Sequence, residues 1–223
     1  FRITNPGGDA GTIQPIVSGQ QKPWALWSDS TSLYWTDQVP GGGVYKTLPN
    51  GGPVTQLASG IASPGGIVTD SNYVYYTALG TCPADGGNCG GSVTRIPIDG
   101  GFAGGVVLAP NEPDPTNLAI DSTNLYWVNA AAGSTVISMP LGGGAETTIA
   151  SNQNVPRRIA IDATTAYWTS NGLNAVLCAP LTGGTVTTLA SSQVAAFGIA
   201  VDATAVYWAT NTNPGTIMKV AKP

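Results

Sequence analysis

The chain has 223 residues, of which 42% are hydrophobic and only 9% charged, with a net charge of −4. Its eight basic residues are scattered, with only Arg157 and Arg158 adjacent, which excludes the basic stripe that nucleic-acid binding needs. Histidine is absent, so Ser-His-Asp and Cys-His nucleophiles, histidine-bound zinc and histidine general bases are excluded, and no apolar run is long enough to span a bilayer.

Taken in chain order, the first candidate strands are residues 1–6 (Phe-Arg-Ile-Thr-Asn-Pro) and 11–20 (Gly-Thr-Ile-Gln-Pro-Ile-Val-Ser-Gly-Gln). Five units follow, each carrying one short phrase: Leu33-Tyr34-Trp35-Thr36-Asp37, Val74-Tyr75-Tyr76-Thr77, Leu125-Tyr126-Trp127-Val128-Asn129, Ala166-Tyr167-Trp168-Thr169 and Val206-Tyr207-Trp208-Ala209. Successive tyrosines stand 41, 51, 41 and 40 residues apart, a period that marks propeller blades or solenoid units.

Within a unit, a small apolar run such as Leu118-Ala119-Ile120 predicts a first strand. An aspartate then lies five residues before each tyrosine (Asp29, Asp70, Asp121, Asp162 and Asp202), placed to hydrogen-bond the backbone of a tight turn. The Tyr-Trp stretch predicts a second strand. A third alternating run, such as Thr135-Val136-Ile137-Ser138-Met139-Pro140, ends at a proline, and a Gly-Gly pair such as Gly183-Gly184 then suits a hairpin that needs positive φ. A fourth run, such as Val186-Thr187-Thr188-Leu189-Ala190, completes the unit. No window has a 3.6-residue apolar period, so the chain is predicted to be all-β.

Four antiparallel strands in each of five repeats predict a five-bladed β-propeller in a single domain, with blades at about 20–60, 61–112, 113–152, 153–192 and 193–223. The last blade lacks a fourth strand, and residues 9–19 are expected to supply it and close the ring. Residues 1–6 also resemble the third-strand segment 218–223 and compete for the same slot, so a six-bladed ring or a piece of a longer propeller is the alternative. Trp35, Tyr76, Trp127, Trp168 and Trp208 are expected to fill the space between blades. Trp27, where other units have alanine, is expected to fill a local gap.

On these motifs the chain resembles the YWTD (low-density-lipoprotein-receptor type) and NHL β-propeller repeats. Tyr34-Trp35-Thr36-Asp37 spells the first motif, and Gly198-Ile199-Ala200-Val201-Asp202 with Val206-Tyr207 resembles the start of the second. The resemblance implies a propeller architecture and names no activity.

Cys82 and Cys89 lie in the one large insertion, whose spacing predicts a disulfide and hence an oxidising compartment. The alternative is a cation loop using Asp85 and Asn88, for which one carboxylate is too few hard ligands. Cys178 is expected to be a lone thiol. The twelve carboxylates show no paired spacing of the kind glycosidases use, so the chain is expected not to be an enzyme and to need no cofactor or metal.

Two loop sets are expected to share one face. The loops entering first strands carry Trp24, Gly65, Thr116, Arg157 and Phe197, with Arg158 one step on; the loops leaving second strands carry Asp37, Asn129, Asn171 and Asn211. Aromatic, guanidinium and amide groups around a channel mouth suit a glycan, peptide or protein ligand. The competing reading has Trp24 and Phe197 plugging the channel and Arg157 paired with a carboxylate. The expectation is thus a monomeric, secreted or periplasmic, bacterial-type binding module. A surface structural repeat without a small ligand, or a carboxylate-based hydrolase or lyase, is the alternative.

Overall fold

The computed structural model describes residues 15–80, 90–100, 105–131 and 134–223, which form nineteen strands and no helix. Blade 1 comprises β1 (Pro23–Ser28), β2 (Leu33–Asp37), β3 (Pro40–Thr47) and β4 (Thr55–Ala62). Blade 2 comprises β5 (Pro64–Thr69), β6 (Tyr73–Ala78), β7 (Gly91–Pro97) and β8 (Val106–Glu112). In blade 3 these are β9 (Pro115–Ile120), β10 (Asn124–Asn129), β11 (Val136–Pro140) and β12 (Thr147–Ala150), and in blade 4 β13 (Pro156–Ile161), β14 (Thr165–Ser170), β15 (Ala175–Pro180) and β16 (Thr187–Ala190). Blade 5 has β17 (Ala196–Val201), β18 (Ala205–Thr210) and β19 (Ile217–Ala221). Within each blade successive strands pair antiparallel, giving four four-stranded sheets and one three-stranded sheet. This is a five-bladed β-propeller.

The repeated aspartate and tyrosine form one device in every blade. Asp121 Oδ1 accepts the backbone N–H groups of Thr123 and Asn124, both at 2.7 Å, while its Oδ2 accepts the Tyr126 hydroxyl at 2.7 Å. The same tyrosine-to-aspartate bond is made by Tyr34, Tyr75, Tyr167 and Tyr207 at 2.7–2.9 Å. One carboxylate thereby closes the turn and fixes the aromatic strand against it.

Burial alone would raise the Asp121 carboxyl, but the bonds from Tyr126, Thr123 and Asn124 outweigh it and hold it below its ordinary value of 3.8. A lowered native value gives stability that is present above pH 3.8 and lost as the pH falls through the lowered value. Replacing Asp121 with Asn is therefore expected to flatten the fall in unfolding stability between pH 4 and pH 2, read from urea midpoints. An unchanged acid slope would show that this turn contributes nothing to acid sensitivity.

A second device repeats more subtly. The indole N–H donates to a side chain fifteen residues earlier: Trp35 to Gln20 at 2.8 Å, Trp127 to Glu112 at 2.7 Å, Trp168 to Gln153 at 3.1 Å and Trp208 to Gln193 at 2.9 Å. Glu112 ends the outer strand of blade 2, and Gln153 and Gln193 follow those of blades 3 and 4, so these three bonds tie neighbouring blades together. Blade 2 has Tyr76 in place of the tryptophan, and its partner position is Ile61; with no indole donor to satisfy, both pack in an apolar cluster.

The hydrophobic core is divided into four seams. Tyr34, Val44 and Leu57 meet Ile67, Val74 and Tyr76 between blades 1 and 2, and Val68, Tyr75 and Val93 meet Leu118, Trp127 and Ile137 between blades 2 and 3. Tyr126, Val128 and Val136 meet Ile159, Trp168 and Leu177 between blades 3 and 4. Tyr167, Val176 and Cys178 meet Ala196, Val206 and Trp208 between blades 4 and 5. Trp27 packs against both of the first two clusters and donates to Thr69 Oγ1 at 3.0 Å.

The fifth seam is different. Leu26 occupies the place of Leu118, each paired with its blade's central tryptophan, yet Leu26 is 69% exposed and Leu118 4%. On blade 5, Ile217 of β19 is exposed as well. Residues 9–14 of the expected closing strand lie outside the described residues, while 15–19 are described and form no strand. Pro15 has no N–H for a ladder. Ile16 and Val17 lie against blade 1 instead, lining a largely apolar cavity of about 380 Å³ with Leu26 and Trp35. The described part of the segment expected to complete blade 5, residues 15–19, therefore lies against blade 1 and forms no strand with β19.

Candidate functional site

Each first strand enters its blade through an irregularity. The β1–β2 register runs from Pro23 to Ala25 and skips Trp24; that of β9–β10 skips Thr116, and that of β13–β14 skips Arg157. In β17–β18 it skips Phe197 and Gly198, and in β5–β6 Gly65 and Gly66. These are β-bulges, which leave one residue unpaired and re-aim its side chain. Blade 2 has room only for glycine here, since a Cβ on Gly65 would stand 2.5 Å from Thr77 Oγ1, and one on Gly66 2.8 Å from the Asn117 backbone.

The entry is also strained. Ser63, Asp114, Val155 and Ala195, each just before a first strand, have φ between 52° and 61°. For the β-branched Val155 this left-handed conformation costs on the order of 1–3 kcal/mol. Hydroxyls brace the bulges across the seams: Thr36 Oγ1 donates to the Gly65 carbonyl at 2.8 Å, Thr116 Oγ1 to that of Arg157 at 3.1 Å, and Thr169 Oγ1 to that of Phe197 at 2.9 Å.

Six of the eight sequence-predicted site residues, namely Trp24, Thr116, Arg157, Asn171, Phe197 and Asn211, line one cavity of about 310 Å³, together with Leu79, Arg158 and Ala195. Asp37 and Asn129 lie elsewhere. Asp37 is buried and accepts the Gln21 N–H at 3.2 Å, and Asn129 is buried with its amide donating to Glu112 and Thr135. Both end second strands whose side chains turn inward to support the structure, unlike Asn171 and Asn211, which lie one residue beyond β14 and β18.

Trp24 and Phe197 meet edge to face with ring centroids 6.2 Å apart. Arg158 stacks on both, 4.2 Å from the Phe197 centroid and 5.3 Å from that of Trp24. Arg157 has no ion-pair partner; among the described residues Lys222 with Asp162 is the ion pair present. Asp114 interacts with Arg157 at longer range, and burial pushes the Asp114 carboxyl up, a rise that the Arg157 charge partly offsets. The Asn171 Oδ1 atom is buried and accepts no hydrogen bond.

Other candidate groups stand apart. Glu112 and Glu146, 34 residues apart in sequence, come together between blades 2 and 3, where burial and then the Glu112 charge push the Glu146 carboxyl up. Neither lines the central cavity. Cys178 is buried between blades 4 and 5, and burial raises its thiol further from reactivity. Cys82 and Cys89 lie outside the described residues. No group of three or more metal-ligating side chains occurs among the described residues, and no helix there is long and apolar enough to cross a membrane.

The fold and this cavity define a β-propeller with an open polar basin on its axis. The chain is similar in structure to a nidogen chain solved in a nidogen/laminin complex, at 20% identity with a TM-score of 0.70, covering 89% of this chain and 75% of that one. It is also similar to a gluconolactonase from Xanthomonas campestris, at 18% identity and TM-score 0.61, covering 86% and 72%. A third similar structure is the computationally designed protein Ika8, at 14% identity and TM-score 0.58, covering 89% and 71%. No family model matches the chain, and no curated protein matches it. The first two likenesses support the propeller fold. They also correct the expectation that the chain is not an enzyme: the same architecture carries a gluconolactonase, so the fold itself gives no ground for excluding catalysis. That expectation rested on missing sequence motifs, whereas a propeller site is assembled from loops far apart in the chain.

Proposed function

We propose that this propeller is a binding module that takes a glycan unit or the end of a peptide in its axial cavity. The observation that carries the reading is the convergence of Trp24, Thr116, Arg157 and Phe197, re-aimed by bulges in four different blades, with Asn171 and Asn211 on one basin of about 310 Å³. Rings offer apolar faces, while amides and guanidinium groups offer directional hydrogen bonds, the combination typical of a small polar-ligand site. A secreted or periplasmic location is part of the proposal, resting on the Cys82 and Cys89 spacing. The nidogen neighbour was solved in complex with laminin, which supports a protein partner as a further ligand class for this fold.

The test is a glycan and peptide array probed with the intact protein and with a Trp24→Ala, Arg157→Ala, Phe197→Ala triple variant of unchanged melting temperature. Binding by the intact protein and its loss in the variant is the expected result. Binding that the variant retains moves the site off the axis. A second reading, hydrolysis of the ligand bound there, draws on the gluconolactonase neighbour and is checked by following any array hit for turnover.

A further inference from the structure

Arg158 is a poorly compensated charge on the axial face. Its guanidinium is half-buried between the Phe197 and Trp24 rings, and its Nη1 donates to the Arg157 carbonyl at 3.1 Å, the one hydrogen bond this side chain makes among the described residues. A guanidinium has five N–H donors, so most of this one is unspent. Arg157 stands beside it on the bulge, and among the described residues no carboxylate lies within 4 Å of either group. Asp114 is the acidic group that faces Arg157, and its own burial favours the neutral form.

Burial and then the Arg157 charge lower the Arg158 pKa to about 10, which leaves it protonated at neutral pH. Two adjacent cations in a partly desolvated basin are costly unless an anion joins them.

From these groups we infer that the cavity takes an acidic sugar unit, a hexuronate-type ring whose carboxylate is held by Arg157 and Arg158. The inference rests on the placement of the site under Proposed function and names its ligand class. A volume of about 310 Å³ lies at the small end of ligand pockets and suits one ring unit better than an extended peptide. Thr116 and Asn211 add hydrogen-bonding groups for the hydroxyls, and Trp24, which is partly exposed, offers an apolar face at the rim.

The experiment is titration calorimetry with glucuronate and galacturonate and their short oligomers, set against glucose, galactose, a glutamate-rich peptide and inorganic phosphate. The intact protein is expected to bind the uronates and to bind the neutral sugars far more weakly. Arg158→Gln is expected to weaken uronate binding about 30-fold or more. Arg158→Lys, which keeps the charge but not the planar fork, should fall between. If Arg158→Gln does not fold, as judged by its melting curve, Arg157→Gln carries the same test.

Equal binding of neutral and acidic sugars, lost in Trp24→Ala, overturns the acidic assignment while keeping the axial site. Preference for the peptide or for phosphate overturns the sugar assignment. No binding of any probe, or binding indifferent to Trp24, Arg157 and Arg158 alike, overturns both this inference and the site on which it rests.

Discussion

Trp168→Ala is expected to lower the unfolding free energy by about 3–5 kcal/mol, among the largest single losses in the molecule. Trp168 is 0% exposed and sits at the centre of the core between blades 3 and 4, against residues such as Val128, Val136, Ile159 and Leu177. Its removal leaves a cavity walled by two rigid sheets, which collapse less readily than a loop does. It also strips the donor from Gln153, a buried side chain whose Oε1 accepts the indole N–H at 3.1 Å. Domains of this size hold roughly 5–15 kcal/mol in all, so the variant stands near its unfolding threshold at room temperature. Urea midpoints followed by circular dichroism measure the loss. Trp168→Phe keeps a six-membered ring and removes the indole donor with its five-membered ring, so a smaller cavity and the lost hydrogen bond together give an expected loss of about 1–3 kcal/mol. A loss below about 1 kcal/mol for the alanine variant would show that the blades do not depend on this seam.

The same tryptophan shows what a sequence carries and what it hides. The 40-residue period, the aromatic strand and the turn aspartate are local patterns, legible because every blade repeats them within a few residues. The hydroxyl bond from Tyr126 to Asp121 was within reach of that reading, since five residues separate the pair in all five copies. The link from Trp168 to Gln153 spans fifteen residues and two blades. Its only trace is the recurrence of Gln20, Glu112, Gln153 and Gln193 at that spacing, broken where Tyr76 removes the donor and Ile61 the acceptor.

The axial site was legible in part for a similar reason. Aligning the repeats singled out Trp24, Arg157 and Phe197 as the varying residues, but the bulges that aim them come from backbone pairing, which composition does not display. Alignment also nominated Asp37 and Asn129, because equivalent loop positions differ by one residue between blades and that step exchanges cavity for interior. The pairing of Glu112 with Glu146 joins two blades across 34 residues and left no local signature.

The second large effect tests the fifth seam by comparing two leucines in equivalent positions. Leu118 pairs across β9–β10 with Trp127 and is packed against blade 2, so Leu118→Ala is expected to cost about 2–5 kcal/mol. Leu26 pairs across β1–β2 with Trp35 but is 69% exposed, so Leu26→Ala is expected to change stability by no more than about 0.5 kcal/mol. The two substitutions delete the same atoms from the same strand position, and both sites have β-strand backbone. Their difference therefore isolates what the neighbouring blade contributes, free of propensity and of side-chain chemistry. Near the axis blades 5 and 1 meet through Phe197 and Trp24, while farther out Leu26 and Ile217 remain exposed. If Leu26→Ala costs as much as Leu118→Ala, the seam is covered in solution by residues beyond those described, and the exposed edge of β19 is then paired. If the two differ as expected, blade 1 and blade 5 are joined chiefly at the axial rim, by the same rings that line the binding cavity, and ligand occupancy there should tighten the ring, raising the melting temperature as ligand is added.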